Sequence, residues 1–198
     1  MSVRKIAACC LLSVGSLVAT AQMKNPLPEG PPVGAAATPA AALDSQLSLI
    51  ELEMMSAVKA MPADKFGFAP SAAIFVPGQK TEFPKVRTFA QQATHVAEAN
   101  YFFAGLISGA KPDVDTDAIL KLTSKDDVVA ALAASFVFSH KAVAALTPEN
   151  AWVVIKSPEP GFATHATMAA FLVEHANDHY GQMVEYLRMN AIVPPASR

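Results

Sequence analysis

The chain has 198 residues, of which 52% are hydrophobic and only 16% are charged, and its formal net charge is −2. This length and apolar content suit one domain with a sizeable core. The 15 basic residues are outnumbered by 17 acidic ones and form no cluster, which argues against nucleic-acid binding.

Residues 1–21 have the pattern of a secretory signal peptide. Arg4 and Lys5 give a positive start, residues 6–18 form a short apolar run, and an Ala-Thr-Ala sequence follows directly. The run is shorter than the roughly 20 residues that a transmembrane helix needs. We therefore expect cleavage before Gln22 and a periplasmic or secreted mature protein with no stable membrane insertion.

Cleavage at that point would remove both cysteines, Cys9 and Cys10, and with them any disulfide or thiolate ligand. A metal site in the mature chain must then use histidine, carboxylate or water. Residues 22–42 are rich in Pro, Gly and Ala, which predicts a flexible linker. The folded domain is expected to span residues 43–198.

Apolar residues at three-to-four spacing predict four amphipathic helices. Ser124 and Thr164 are suitable N-caps for the last two. Residues 62–84 form a long connection broken by prolines, and Trp152–Ile155 is too short and isolated to build a sheet. Four helices of comparable length predict an all-α protein, an antiparallel four-helix bundle. The predicted helical ranges are 43–61, 85–108, 124–146 and 164–190.

His175 and His179 lie four residues apart in the fourth helix, so both imidazoles leave the same side of it. Buried polar rings need partners, and one metal ion satisfies both. His95 of the second helix lies beside that helix's apolar stripe. If the second and fourth helices are neighbours, it completes a three-imidazole site. The side of the fourth helix that carries the pair also carries Met168, Leu172, Met183 and Tyr186.

Other interpretations stay open at this point. A helical His-x-x-x-His pair also arises by chance, and the histidines could satisfy one another in an inert core. The His-Glu-x-x-His pattern of zinc proteases is absent, and so are a glycine-rich phosphate loop and a Gly-x-Ser-x-Gly elbow. His140 is interpreted as structural, and His165 as facing solvent or a loop. Six methionines are expected to fill the core: Met54, Met55, Met61, Met168, Met183 and Met189.

Two segments resemble the DinB-like superfamily of metal-binding four-helix bundles. They are Val86–Phe103 (VRTFAQQATHVAEANYFF) and His175–Asn190 (HANDHYGQMVEYLRMN), and the closing Ile192–Pro195 also fits. The resemblance covers the chain from about Leu43 onward. One departure is that family members often begin the second helix with a Trp-Ser pair, where this chain has Pro84–Arg87.

The resemblance implies a metal held by one histidine of the second helix and two of the fourth. These roles fall on His95, His175 and His179. Three neutral imidazoles leave a coordination position open, as in catalytic sites, and zinc, nickel and ferrous iron all accept this ligand type. The resemblance also leaves a homodimer open.

Characterised relatives in this superfamily include transferases and isomerases that use small thiols. Export argues against that chemistry here, because small-thiol pools belong to the reducing cytosol. Metal-assisted hydrolysis is therefore the leading enzyme hypothesis, with an unknown substrate and no identifiable general base. Asn100, Tyr101 and Tyr186 could only orient groups. The alternative is a non-catalytic metal- or ligand-binding protein of the cell envelope.

Overall fold

The computed structural model describes residues 27, 29–71, 77–78, 86–158 and 160–198. The predicted signal peptide, both cysteines and part of the 62–84 connection lie outside these residues. Within the described residues the α-helices and β-strands, in chain order, are α1 (Pro39–Ala60), α2 (Phe89–Ser108), α3 (Thr116–Ile119), α4 (Lys125–Ala144), β1 (Val154–Ile155), β2 (Ala163–Thr164) and α5 (His165–Met189), and short 3-10 turns follow α1 and α5 at Ala63–Lys65 and Pro195–Ser197.

The four long helices form a bundle, which confirms the predicted fold class. Both α1 and α2 pack against α4 and α5. Helices α1 and α4 are antiparallel, since Asp44 meets His140 near one end and Lys125 Nζ donates to the carbonyl of Met61 at the other. Helices α2 and α5 are also antiparallel, because Gln92 meets His179 and Phe103 meets Phe171. Phe66 contacts both Phe89 at the start of α2 and Lys125 at the start of α4, so α2 and α4 are parallel, and α1 and α5 are parallel as well. The α2–α5 interface is the one that carries the predicted site.

Local hydrogen bonds set the helix starts. Thr88 Oγ1 accepts from the backbone N–H of Gln91, whose side chain accepts from the N–H of Thr88, so α2 begins at Phe89. The predicted start at residue 85 was therefore too early. Thr164 caps α5 with an equivalent pair of bonds to Thr167, as the sequence predicted for Thr164.

The first helix begins earlier than predicted. Thr38 Oγ1 accepts from the N–H of Ala41, and Pro39 occupies the first helical turn, where its missing N–H costs nothing. Residues 39–42 are consequently helical, and their assignment to the linker was wrong. The apolar period alone missed this turn because alanines give little contrast between faces.

Most of the predicted core is buried, but two methionines are not. Met54, Met61, Met168 and Met183 are buried as expected. Met55 is only half-buried on the rim of α1, and Met189 is 45% exposed because α5 ends there.

The segment around Trp152 also differs from expectation. Val154 and Ile155 pair with Thr164 and Ala163 in a two-stranded antiparallel ribbon. The prediction that Trp152–Ile155 is isolated was therefore wrong. Its partner strand is only two residues long and ends at the N-cap of α5, which is too short for a sequence pattern to predict.

Helix α4 is long and apolar enough, by length and composition alone, to cross a membrane. Core helices of soluble proteins pass the same test. The buried side of α4 packs on α1 and α2. This property therefore carries no argument for a membrane-spanning chain.

Candidate metal centre

Helices α2 and α5 bring the three predicted histidines together. His95 lies in the second turn of α2, and His175 and His179 lie near the middle of α5. The Nε2 atoms of His95 and His175 are 3.3 Å apart, and one nitrogen from each of the three rings lies within 4.8 Å of the others. His179 is buried and the other two rings are partly buried.

The donor set fits a divalent cation. Two nitrogens that each lie about 2.0–2.1 Å from a tetrahedral zinc ion are about 3.3 Å apart, which matches the separation of the His95 and His175 Nε2 atoms. Without a proton or a cation between them, the two lone pairs would repel each other. The three residues therefore could hold a metal ion.

Burial keeps the three rings neutral. It lowers the pKa of His95 to about 4, helped by the positive charge of Arg87 and by the other two imidazoles. It lowers the pKa of His175 to about 4 as well, with a further contribution from His179. The pKa of His179 is also lowered, mainly by burial. At neutral pH the lone pairs are thus available for a metal.

A chain of amides fixes the orientation of His179. Gln92 Nε2 donates to Gln182 Oε1 at 2.8 Å, and Gln182 Nε2 donates to Asp178 Oδ2 at 2.9 Å. The remaining Gln92 oxygen must therefore accept from His179 Nδ1, 2.6 Å away. His179 then carries its proton on Nδ1 and presents the Nε2 lone pair to the site, as metal-ligating histidines usually do.

The other two rings are held less firmly. His95 Nδ1 lies 3.6 Å from Glu98 Oε2, one turn further along α2. Since Nδ1 and Nε2 lie on opposite sides of the ring, this carboxylate lies on the side of His95 away from His175, at a distance beyond a hydrogen bond. His175 Nδ1 is buried and has no hydrogen-bond partner among the described residues. Its ring packs edge-on against Phe103, with centroids 5.4 Å apart.

Comparison with known proteins agrees with this architecture. The sequence model of the DinB superfamily matches residues 46–183. The chain belongs to the DinB superfamily. The fold is similar to the crystal structure of a DinB-like protein from Bacillus cereus ATCC 10987, with a TM-score of 0.61 over 77% of this chain and 95% of that one. Sequence identity is 13%, so this likeness concerns the fold alone. No curated protein matches the sequence.

Members of the DinB superfamily generally bind metal, and the cluster of His95, His175 and His179 is where this member could hold one.

The polar residues considered for orienting a substrate lie elsewhere in this DinB-superfamily bundle. Asn100 is fully buried between α2 and α4, where its Nδ2 donates to Ser135 Oγ. The Tyr186 hydroxyl donates to the carbonyl of Arg87 and secures the segment before α2. Tyr101 lines a separate cavity.

The two remaining histidines tie helices together. His140 bridges α4 to α1 by contacts of its two ring nitrogens with Asp44 and Glu51, in line with the structural role expected for it. His165 Nδ1 lies 2.6 Å from the carbonyl of Ile107 near the end of α2. The prediction that His165 faces solvent or a loop was therefore wrong. The carbonyl of Ile107 lies in the last turn of α2 and accepts no hydrogen bond within the helix, so it is free to accept one from His165.

Sequence reasoning missed three polar residues beside the triad: Gln92 and Gln182, which hold His179 through hydrogen bonds, and Glu98, which lies near His95. A local signal was present, since each lies three residues from a triad histidine and thus on its side of the helix. Amides and carboxylates at such positions usually face solvent, however. Only the pairing of α2 with α5 shows that Gln92 is a buried partner.

Proposed function

We propose that this protein is exported, binds one divalent metal ion through His95, His175 and His179, and acts as a metal-dependent hydrolase on a small molecule. The observation that carries the proposal is the convergence of three neutral imidazoles from two helices, with two Nε2 atoms 3.3 Å apart. Zinc, nickel and ferrous iron are the ions compatible with this ligand set.

Three protein ligands leave coordination positions for water or substrate. A divalent cation supplies Lewis acidity, which polarises a carbonyl or a water molecule so that hydrolysis proceeds near neutral pH. The chain contributes orientation, because the Gln92 side-chain oxygen accepts from His179 Nδ1 at 2.6 Å. Phe103 packs against His175 and Phe171 and excludes water from one side of the site.

The metal assignment is tested by elemental analysis of protein purified from its native compartment. We expect one bound ion per chain in the normal protein and a loss of most of it in His179→Ala. The matched control is His165→Ala, which removes a histidine from the same helix outside the triad. Equal metal content in the normal protein and His179→Ala would refute the assignment.

A non-catalytic metal-binding protein is the second candidate. It is favoured by the absence of any carboxylate from the cluster of ligand residues in the described part of the chain, since a hydrolase needs a proton acceptor. Loss of ester or amide hydrolysis on chelation, recovered with one metal, would identify the enzyme. Stoichiometric metal with no turnover in ester, amide and thiol-transfer screens would identify the binding protein.

Export is supported by the N-terminal sequence pattern. N-terminal sequencing of the protein from cell fractions tests it, with Gln22 expected as the first residue in the periplasmic or secreted fraction. A cytosolic chain that still begins with the signal segment would contradict it.

A further inference from the structure

The β1–β2 ribbon carries a cluster of large apolar side chains that are exposed to solvent. This ribbon cluster consists of Trp152, Val153, Val154 and Phe162, which are 66%, 51%, 63% and 77% exposed. Ile155 pairs with Ala163, and both side chains pack on the core. Side chains alternate between the two faces of a strand, so Val154 and Phe162 lie on the outer face of the ribbon. Contiguous exposed apolar patches usually mark an interaction site.

The ribbon cluster lies at the end of the bundle where the N-terminal segment enters the fold. Trp152 lines a cleft of about 450 Å³ together with Thr38 and Pro39, where α1 begins, and with residues in the first turns of α5. Among the described residues, none that lines this cleft is charged. The chain that leads to Thr38 contains the apolar run of residues 6–18. A bilayer that receives this run is therefore joined to the domain at the end that carries the ribbon cluster.

The charges near the ribbon do not favour an anionic surface. Residues 149–162 contain one lysine, Lys156, and two glutamates. Binding of a surface segment to a bilayer depends on the apolar area that it buries and on its attraction to anionic lipids. Since this stretch has an excess of negative charge, apolar contact must supply the binding. The chemistry therefore fits zwitterionic lipid rather than anionic lipid.

A second copy of the chain is the competing occupant of the ribbon cluster. The four side chains present on the order of 500 Å², since an aromatic side chain alone covers roughly 150–250 Å². A stable protein interface needs about 800 Å² from each partner. A bilayer sets no such minimum, because single tryptophan and phenylalanine side chains enter the region between headgroups and acyl chains. The size of the cluster therefore favours the bilayer.

We propose that the ribbon cluster is a reversible membrane-contact surface, which inserts Trp152, Val154 and Phe162 into the interface of a zwitterionic phospholipid bilayer. Lys156 lies on the same outer face by the alternation of the strand, and its long side chain reaches the headgroup phosphates while its apolar stem stays beside the cluster. The histidine triad lies on later turns of α5, so the contact does not depend on a bound metal.

Trp152 is the only tryptophan of the chain, so its fluorescence reports on the ribbon directly. Protein purified from its native compartment is titrated with phosphatidylcholine vesicles, with and without brominated acyl chains. We expect the emission of Trp152 to shift to shorter wavelength and the brominated lipid to quench it. Both effects should change little between roughly 0.1 and 1 M salt, because salt screens charges and not apolar contacts. This readout holds whether or not residues 1–21 are still attached.

Two variants and a matched control locate the contact. Phe162→Ser removes the most exposed side chain of the cluster and should raise the lipid concentration at half-maximal shift roughly tenfold. Val154→Thr keeps the β-branched shape and should raise it less. Met189→Gln is the control, because Met189 is 45% exposed at the opposite end of α5, and it should behave as the normal protein does. Circular dichroism checks each fold.

Four results would overturn the proposal. The first is no shift of the Trp152 emission with phosphatidylcholine vesicles, and the second is a shift that needs anionic lipid. The third is equal behaviour of Phe162→Ser and Met189→Gln. The fourth is a shift that appears without lipid as the protein concentration rises, because a second copy would then cover the ribbon cluster.

Discussion

Replacing Gln92 by leucine is the sharpest test of how the triad is built. Leucine has a similar volume but removes the acceptor for His179 Nδ1 and the donor to Gln182 Oε1, at 2.6 and 2.8 Å. Gln92 is 3% exposed and His179 is 6% exposed, so water cannot replace the acceptor that His179 Nδ1 loses, whereas the exposed Gln182 side chain can bond to water instead. An unsatisfied buried N–H costs about 1–3 kcal/mol.

The larger consequence is for metal binding. Without Gln92, nothing holds the proton of His179 on Nδ1, and the Nε2 lone pair is no longer directed at the site. Loss of such an outer partner typically weakens metal binding about 10–100-fold, or about 1.4–2.7 kcal/mol. We expect a loss in this range for Gln92→Leu, measured by competition with a chromogenic chelator for zinc.

Two matched variants sharpen the test. Gln92→Glu keeps an acceptor for His179, and a carboxylate binds an N–H more strongly, so metal affinity should be equal or higher. Gln182→Leu removes the next amide of the chain and should weaken binding less than Gln92→Leu does. A correctly folded Gln92→Leu protein with unchanged affinity would refute the reasoning. So would a Gln92→Glu protein that loses as much affinity as Gln92→Leu.

Three further predictions concern pH. Because the pKa values of His95 and His175 are lowered to about 4, protons should not displace the metal until about pH 5, and release near pH 6 in dialysis would contradict this. In the metal-free protein the unfolded state takes up protons first, so stability in urea should fall as pH drops from about 6.5 towards 4. Burial alone would lower the pKa of His140, but the hydrogen bonds that its ring donates to the Asp44 and Glu51 carboxylates outweigh burial and raise the pKa. The contribution of His140 to the free energy of unfolding is therefore complete below about pH 6.5 and is lost as the pH rises through the pKa of His140 in the folded state. His140→Gln should lower the free energy of unfolding by up to about 1 kcal/mol at pH 6 and by less at pH 9.

Local patterns predicted most of the fold. The starts of α4 at Ser124 and of α5 at Thr164 follow from capping hydrogen bonds between residues three apart. The apolar period marks the buried side of each helix. The pairing of His175 with His179 is local too, because one helix sets it. These features depend on short stretches of chain, so the sequence displays them directly.

Features that need two elements at once were harder to predict. His95 could be joined to the pair only by assuming that α2 and α5 are neighbours. From the sequence alone, Gln92 is expected at the surface, since a buried amide needs hydrogen-bond partners. Those partners lie on another helix, so the sequence around Gln92 does not reveal them. The carbonyl that receives His165 likewise lies on α2. Sequence periodicity shows which side of one helix is buried, but it does not predict which residues of another helix that side contacts.

The two sides of the bundle should respond differently to loss of metal. Between α1 and α4, His140 contacts two carboxylates and Lys125 donates to two backbone carbonyls, and these contacts do not depend on a metal ion. Between α2 and α5, three neutral imidazole rings face one another, and among them only His179 is held by a short hydrogen bond to a neighbouring side chain, that of Gln92. Removal of the metal should therefore raise amide hydrogen exchange around His95 and His175 while leaving α1 and α4 unchanged, because local opening follows the weaker interface. Uniform acceleration across all four helices would mean that the triad stabilises the whole core rather than the contact between α2 and α5.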